Sequence, residues 1–163
     1  MKRIAALLLI SMVATGCSNQ AAASGPPEIV LGRDLCVSCG MLITEERFAA
    51  AYRIDGDERR FDDIGGMLLY GTESEELEAA SDDAWVHDWE SRTWLRASNA
   101  WYVVAPGLVT PMGYGVVAFA DRVAADAYAI ERTGEVFNWV ELFDFRIEEG
   151  RLIHQHDNDN TTP

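Results

Sequence analysis

Residues 61–70 read FDDIGGMLLY. Ile64, Met67 and Leu68 stand at helical spacing. An aspartate lies just before them, where its side-chain oxygen takes up backbone N–H groups that a helix start leaves without partners. Asp62 or Asp63 therefore opens a helix. At an offset of 58 positions, residues 119–128 read FADRVAADAY, so Phe61, Asp63 and Tyr70 match Phe119, Asp121 and Tyr128. The surroundings repeat as well. Residues 48–54 (FAAAYRI) form a predicted strand, Asp55-Gly56-Asp57 a turn, and 58–61 a short returning strand. An acidic loop from Glu73 to Asp83 leads to a strand over 84–89. In the second half come a strand over 100–104, a loop rich in glycine and proline, and a strand over 116–119. Asp121 then caps a helix with Val123, Ala127 and Ile130 along one face. Gly134 ends it, and 136–139 is the closing strand. The reading is a single α+β domain over 29–153, built of two similar ββαβ units with mainly antiparallel sheets, each covered by a helix. Trp85, Trp89, Trp94, Trp101 and Trp139 fall mostly on predicted strands, as core and half-buried positions.

Outside that domain the composition changes. The chain opens MKRIAALLLISMVATGC: a basic start, then an apolar run too short to span a bilayer, then small residues. This resembles a bacterial lipoprotein signal over residues 1–16, with Cys17 lipidated as the first mature residue. Ser18 after the cysteine resembles sorting to the outer membrane. The competing reading is an ordinary signal peptide cut near Ala23. Residues 17–28 are small, polar or proline, a composition expected of a flexible tether, and 154–163 form an acidic tail expected to be disordered.

The chain carries 13 Lys plus Arg against 27 Asp plus Glu, and loss of residues 1–16 leaves 11 against 27, a net charge of −16. Every positive side chain after residue 16 is arginine. Such an acidic surface disfavours nucleic acid and anionic lipid, and attracts cations or a basic partner. There is no phosphate loop, dinucleotide fingerprint or nucleophile–base pattern, so the chain does not read as an enzyme.

The chemistry concentrates in LCVSCGMLI, residues 35–43. Cys36 and Cys39 have the spacing of a redox pair, but no βαβ pattern surrounds them. Structural zinc wants four closed ligands, and only one cysteine pair exists; His154 and His156 lie in the tail and His87 on a strand. Met41, Leu42 and Ile43 also suit a core. The remaining reading is monovalent copper, which is soft, selects thiolate and thioether sulfur, and accepts two or three ligands. In an extended segment Cys39 and Met41 face the same side, and Gly40 between them leaves backbone room. Asp62 and Asp63 read chiefly as helix-capping residues, with a partner or metal contact as the alternative.

CVSCGM with FAAAY, then FDD followed by Ile64 and Met67, then TPMG (Thr110 to Gly113) followed by Ala118 and Phe119, resembles the NosL family over roughly 34–146. These are accessory lipoproteins of bacterial nitrous oxide reductase. The resemblance implies a periplasmic, lipid-anchored protein binding one Cu(I) and supplying copper to the reductase's copper-sulfide centre. Its partners would be the reductase and a membrane transporter complex. It makes Cys39 and Met41 the copper pair and Met112 the candidate third ligand, with Cys36 auxiliary, structural, or a disulfide partner of Cys39. The rival function is a periplasmic thiol-disulfide protein using Cys36 and Cys39.

Overall fold

The computed structural model describes residues 25–145. The signal, Cys17, most of the tether and the acidic tail lie outside the described residues. Within them the repeat is visible as topology. Strands β1 (Ala50–Ile54) and β2 (Asp57–Phe61) form an antiparallel hairpin, followed by α1 (Ile64–Glu73), the short α2 (Leu77–Ala80) and β3 (Ala84–His87), which returns to the other side of β1. A further strand, β4 (Trp94–Arg96), extends that sheet to the order β2-β1-β3-β4. Strands β5 (Trp101–Val104) and β6 (Val116–Phe119), helix α3 (Arg122–Arg132) and β7 (Glu135–Phe137) give the same arrangement, β6-β5-β7. In both units the first strand is central and the two antiparallel neighbours flank it.

Local chemistry accounts for these elements. The β1–β2 turn has positive φ at both Asp55 and Gly56, the primed geometry that matches strand twist and that Asp-Gly favours. Asp63 is the residue that caps α1, its carboxylate accepting from Gly65 N–H at 2.8 Å and Gly66 N–H at 3.4 Å. Asp121 caps α3 through Ala124 N–H at 3.0 Å. The last turn of α3 closes on Thr133 in the left-handed region, with Gly134 N–H bonded to the Ala129 carbonyl at 2.8 Å.

Three expectations are corrected. The face of α3 bearing Val123, Ala127 and Ile130 points to solvent; Ala125 and Ala129 are the buried pair. Small side chains let the helix lie close on its sheet, while the larger residues have no room beneath it. The closing strand stops at Phe137, and residues 139–145 form a fourth helix, α4. Asn138 and Glu141 cap it reciprocally, each side chain accepting from the other's backbone N–H at 2.9 and 3.0 Å. The acidic loop over 73–83 contains α2, anchored by buried Leu77 and Ala80. Of the tryptophans, Trp85, Trp94 and Trp101 are on strands, whereas Trp89 follows β3 and Trp139 begins α4.

The main core draws on both units: Tyr52, Phe61, Ile64, Met67 and Leu68 pack with Tyr102, Val116, Ala118, Trp139 and Leu142. Tyr52 stacks on Phe61 with ring centres 5.4 Å apart, a contact worth about 1 kcal/mol beyond the area it buries. A second cluster under α3 holds Val103, Val117, Phe119, Ala125 and Ala129. Every residue of β6 is buried, because Val116 and Ala118 face one cluster and Val117 and Phe119 the other. The units are also joined through Asp88 at the end of β3. Its carboxylate, 5 % exposed, accepts from Ala120 N–H at 2.8 Å, and Trp89 N–H donates to the Ala118 carbonyl at 2.8 Å. Burial opposes ionisation of Asp88, but the Ser91 hydroxyl and the surrounding backbone N–H groups outweigh it and hold the carboxyl below the usual range.

Candidate metal centre

The cysteine segment is a tight hairpin. Leu35 and Leu42 form an antiparallel bridge, and Cys36 N–H donates to the Met41 carbonyl at 2.8 Å. Gly40 N–H donates to the Cys36 carbonyl at 2.9 Å, and Gly40 has φ of 73°. The segment is therefore a turn, and the alternation expected of an extended chain does not apply between Cys39 and Met41. Gly40 is needed for its left-handed backbone; a Cβ there would meet nothing within 4 Å. Val37 N–H donates to the Arg60 carbonyl at 2.9 Å, docking the hairpin beside the end of β2, next to Asp62.

That docking assembles a cluster. One ligand atom each from Cys36, Cys39 and Asp62 lies within 4.8 Å of the others. Both Asp62 oxygens are 3.7 Å from Cys39 Sγ. Cys36 is buried at 2 % exposure and Cys39 reaches solvent. Burial, aided by the neighbouring Asp62 side chain, pushes the Cys36 thiol up to about 12. The Cys36 thiol therefore keeps its proton at neutral pH.

The two aspartates divide the work. Asp63, fully buried, caps α1 with one oxygen, while the other accepts from the Thr110 hydroxyl and from Met112 N–H at 3.0 Å. The Thr110 hydroxyl in turn accepts from Gly115 N–H at 3.2 Å. Asp63 thus latches the 110–115 loop of the second unit onto the start of α1. Met112 Sδ packs so closely on Gly66 that a Cβ there would sit 2.7 Å from it. The latch brings the Met112 loop to the start of α1, and Asp62 of the thiol cluster lies two residues before that helix. Met41, on the outgoing arm of the hairpin, is 45 % exposed. Leu31, Leu35, Val37 and Leu42 are exposed as well, so this stretch of chain carries an apolar collar.

Asp62 is the site residue that a capping reading underrates. Its signal is in the repeat: Asp63 matches Asp121, whereas Asp62 matches Ala120. A capped helix needs one aspartate, so the unmatched one is free for other chemistry. His87 takes no part. Its Nδ1 faces the Ala49 carbonyl at 3.0 Å and its ring packs 3.7 Å from that of Trp94, a satisfied core histidine.

The profile of the NosL family matches residues 29–144, which include the hairpin, both aspartates and the 110–115 loop. The chain belongs to the NosL family. The fold agrees with the crystal structure of the copper chaperone NosL from Shewanella denitrificans: the TM-score is 0.63 at 20 % identity, over 71 % of this chain and 93 % of that one. No curated protein sequence matches the chain. Among the described residues of this NosL-family domain, no helix is long and apolar enough to cross a membrane.

Proposed function

We propose that this chain is a metallochaperone that carries one Cu(I) ion for assembly of the copper-sulfide centre of nitrous oxide reductase, lipid-anchored through Cys17 on the periplasmic side, at the outer membrane. The observation that carries the reading is the pairing of Cys36 and Cys39 in one hairpin within the NosL family domain. A buried thiol and an accessible one suit a cargo ion that must be held and then surrendered. Cu(I) takes two or three sulfur ligands, so an incomplete shell leaves room for a partner's sulfur to bond before the first one leaves. Cys39 is the group at which that exchange starts. Met41 and Met112 supply thioether ligands without adding charge, and Cys36 supports Cys39. The exposed apolar collar gives a docking partner something to cover while water is kept from the ion. In this reading the protein binds and transfers, with the reductase and its membrane transporter complex as partners, rather than catalysing a reaction.

The test is an anaerobic competition for Cu(I) against a chromogenic chelator. Cys39→Ser should lose most of the affinity, and Met41→Leu and Met112→Leu should each weaken it. The rival thiol-disulfide function also draws on the proximity of Cys36 and Cys39. It requires Cys36→Ser and Cys39→Ser each to abolish activity while Met41→Leu and Met112→Leu behave as wild type. Reduced protein that fails to take Cu(I) from the chelator refutes the copper reading.

A further inference from the structure

Seven of the nine arginines among the described residues ion-pair with a carboxylate. Arg47 and Arg92 do not, in a chain with 27 acidic residues. Both line one recess of about 280 Å³, together with Leu31, Thr44, Glu45 and Glu46. The recess lies at the foot of the cysteine hairpin, where Gly32 N–H donates to the Ile43 carbonyl at 2.8 Å. The Arg47 guanidinium stacks over Trp89, 4.6 Å from the ring centre. A ring on one face leaves the N–H edges of the planar fork open. Arg92 belongs to the turn between β3 and β4, with φ of 59° and its N–H donating to the Asp88 carbonyl at 2.9 Å. Glycine adopts that left-handed backbone more readily, so the turn itself does not call for arginine. Glu46 is turned towards His87, its Oε1 4.0 Å from Nε2.

We propose that this recess receives a carboxylate side chain of a partner protein that docks over the hairpin. A guanidinium fork matches a carboxylate with two parallel N–H···O bonds, and the recess offers two forks without a carboxylate of their own. A free anion is the poorer occupant. Glu45 and Glu46 stand in the same recess, and the acidic surplus of the chain repels small anions over a Debye length of about 8 Å. A carboxylate carried on a protein surface brings apolar contact that offsets this repulsion. Leu31 is where that contact falls, because it both walls the recess and belongs to the exposed apolar collar. Covering Leu31 excludes water from the recess, and charge-assisted hydrogen bonds strengthen as the local dielectric falls. The carboxylate then sets the orientation of the partner, while the collar supplies the buried area. The hand-over reading gives the partner its task; the recess itself needs no metal.

The metal-free protein, labelled with nitrogen-15, is titrated with the blocked tripeptide acetyl-Leu-Glu-Leu-amide, with its glutamine counterpart and with sodium acetate. The arginine Nε–Hε signals are followed by NMR at mildly acidic pH. The glutamate peptide should move the Arg47 and Arg92 signals together along one saturating curve, and leave the signal of the ion-paired Arg59 in place. The glutamine peptide and acetate should each bind about tenfold more weakly or worse. Arg92→Gly suits the turn, so it should melt no lower than wild type while binding the glutamate peptide about tenfold more weakly. Arg47→Lys keeps the charge without the fork and should also weaken binding. Acetate binding as tightly as the glutamate peptide would assign the recess to a free anion and overturn the docking proposal. Equal binding of the glutamine peptide, unchanged binding in Arg92→Gly, or no movement of the Arg47 and Arg92 signals would overturn it as well. Chelator competition for Cu(I) on the wild type keeps the two readings apart. Failure of copper uptake with peptide binding intact refutes only the copper reading, and the converse refutes only this one.

Discussion

Replacing Asp63 by asparagine cuts the latch while sparing the cap. The amide oxygen still accepts from Gly65 and Gly66, because asparagine caps a helix as well as aspartate. The amide nitrogen now faces Met112 N–H and the Thr110 hydroxyl, the groups that the second carboxylate oxygen serves. Hydrogen bonds to a charged group contribute about 1.5–3 kcal/mol each. The hydroxyl can turn to accept from the new amide, but Met112 N–H cannot, so the net cost should be about 3 kcal/mol. Asp121→Asn is the built-in control: that carboxylate is exposed and only caps, so it should cost under about 0.5 kcal/mol. Urea unfolding of both variants at neutral pH measures the contrast, with equal slopes confirming that both lose the same structure. If Asp63→Asn costs no more than Asp121→Asn, the latch does not hold the loop.

The glycines of α1 should behave differently from each other. Gly65→Ala places a Cβ 2.2 Å from Tyr114 Cβ, which lies near the backbone and cannot swing away, so a loss of about 3 kcal/mol is expected in denaturant melts. Gly66→Ala meets the flexible Met112 Sδ instead; it should cost about 1 kcal/mol and, on the copper reading, lower Cu(I) affinity in the chelator assay. Tyr102→Phe removes a buried hydroxyl that donates to the Ala97 carbonyl at 2.7 Å and should cost about 1–2 kcal/mol by the same melts. Burial holds His87 below its ordinary value of 6.5, against the opposing pull of the Ala49 carbonyl and Glu46. The unfolded chain therefore takes up the His87 proton first as pH falls below about 6.5, and stability should drop from there towards the folded-state value. His87→Gln should remove that component of the pH dependence in thermal melts, and identical profiles would refute it.

Much of the fold was legible because the repeat joins local signals into one pattern. Asp-Gly fixed the first hairpin, and aspartates at equivalent positions marked both main helices. What escaped depended on shape or on long-range contact. The face of α3 was misjudged because side-chain size, not apolarity, decides what fits between helix and sheet; Val123 and Ile130 lost the core to Ala125 and Ala129. Helix α4 carried its signature, Asn138 three residues before Glu141, but a β-branched and aromatic run beside it read as strand. At the site, CxxCGM announced sulfur chemistry, yet the turn at Gly40 and the approach of Asp62 depend on how the hairpin docks on β2. No spacing along the chain encodes that docking.

The junction between the units has a mechanical consequence. A β-bridge, the Asp88 brace and a shared core tie the two halves at several points, so they have no hinge about which to open. On the copper reading, an ion held at the Cys36–Cys39 hairpin would leave through local fraying of that hairpin, not through the two halves swinging apart. On that reading the hand-over rate would be set by the few backbone bonds between residues 32 and 43 that hold the hairpin.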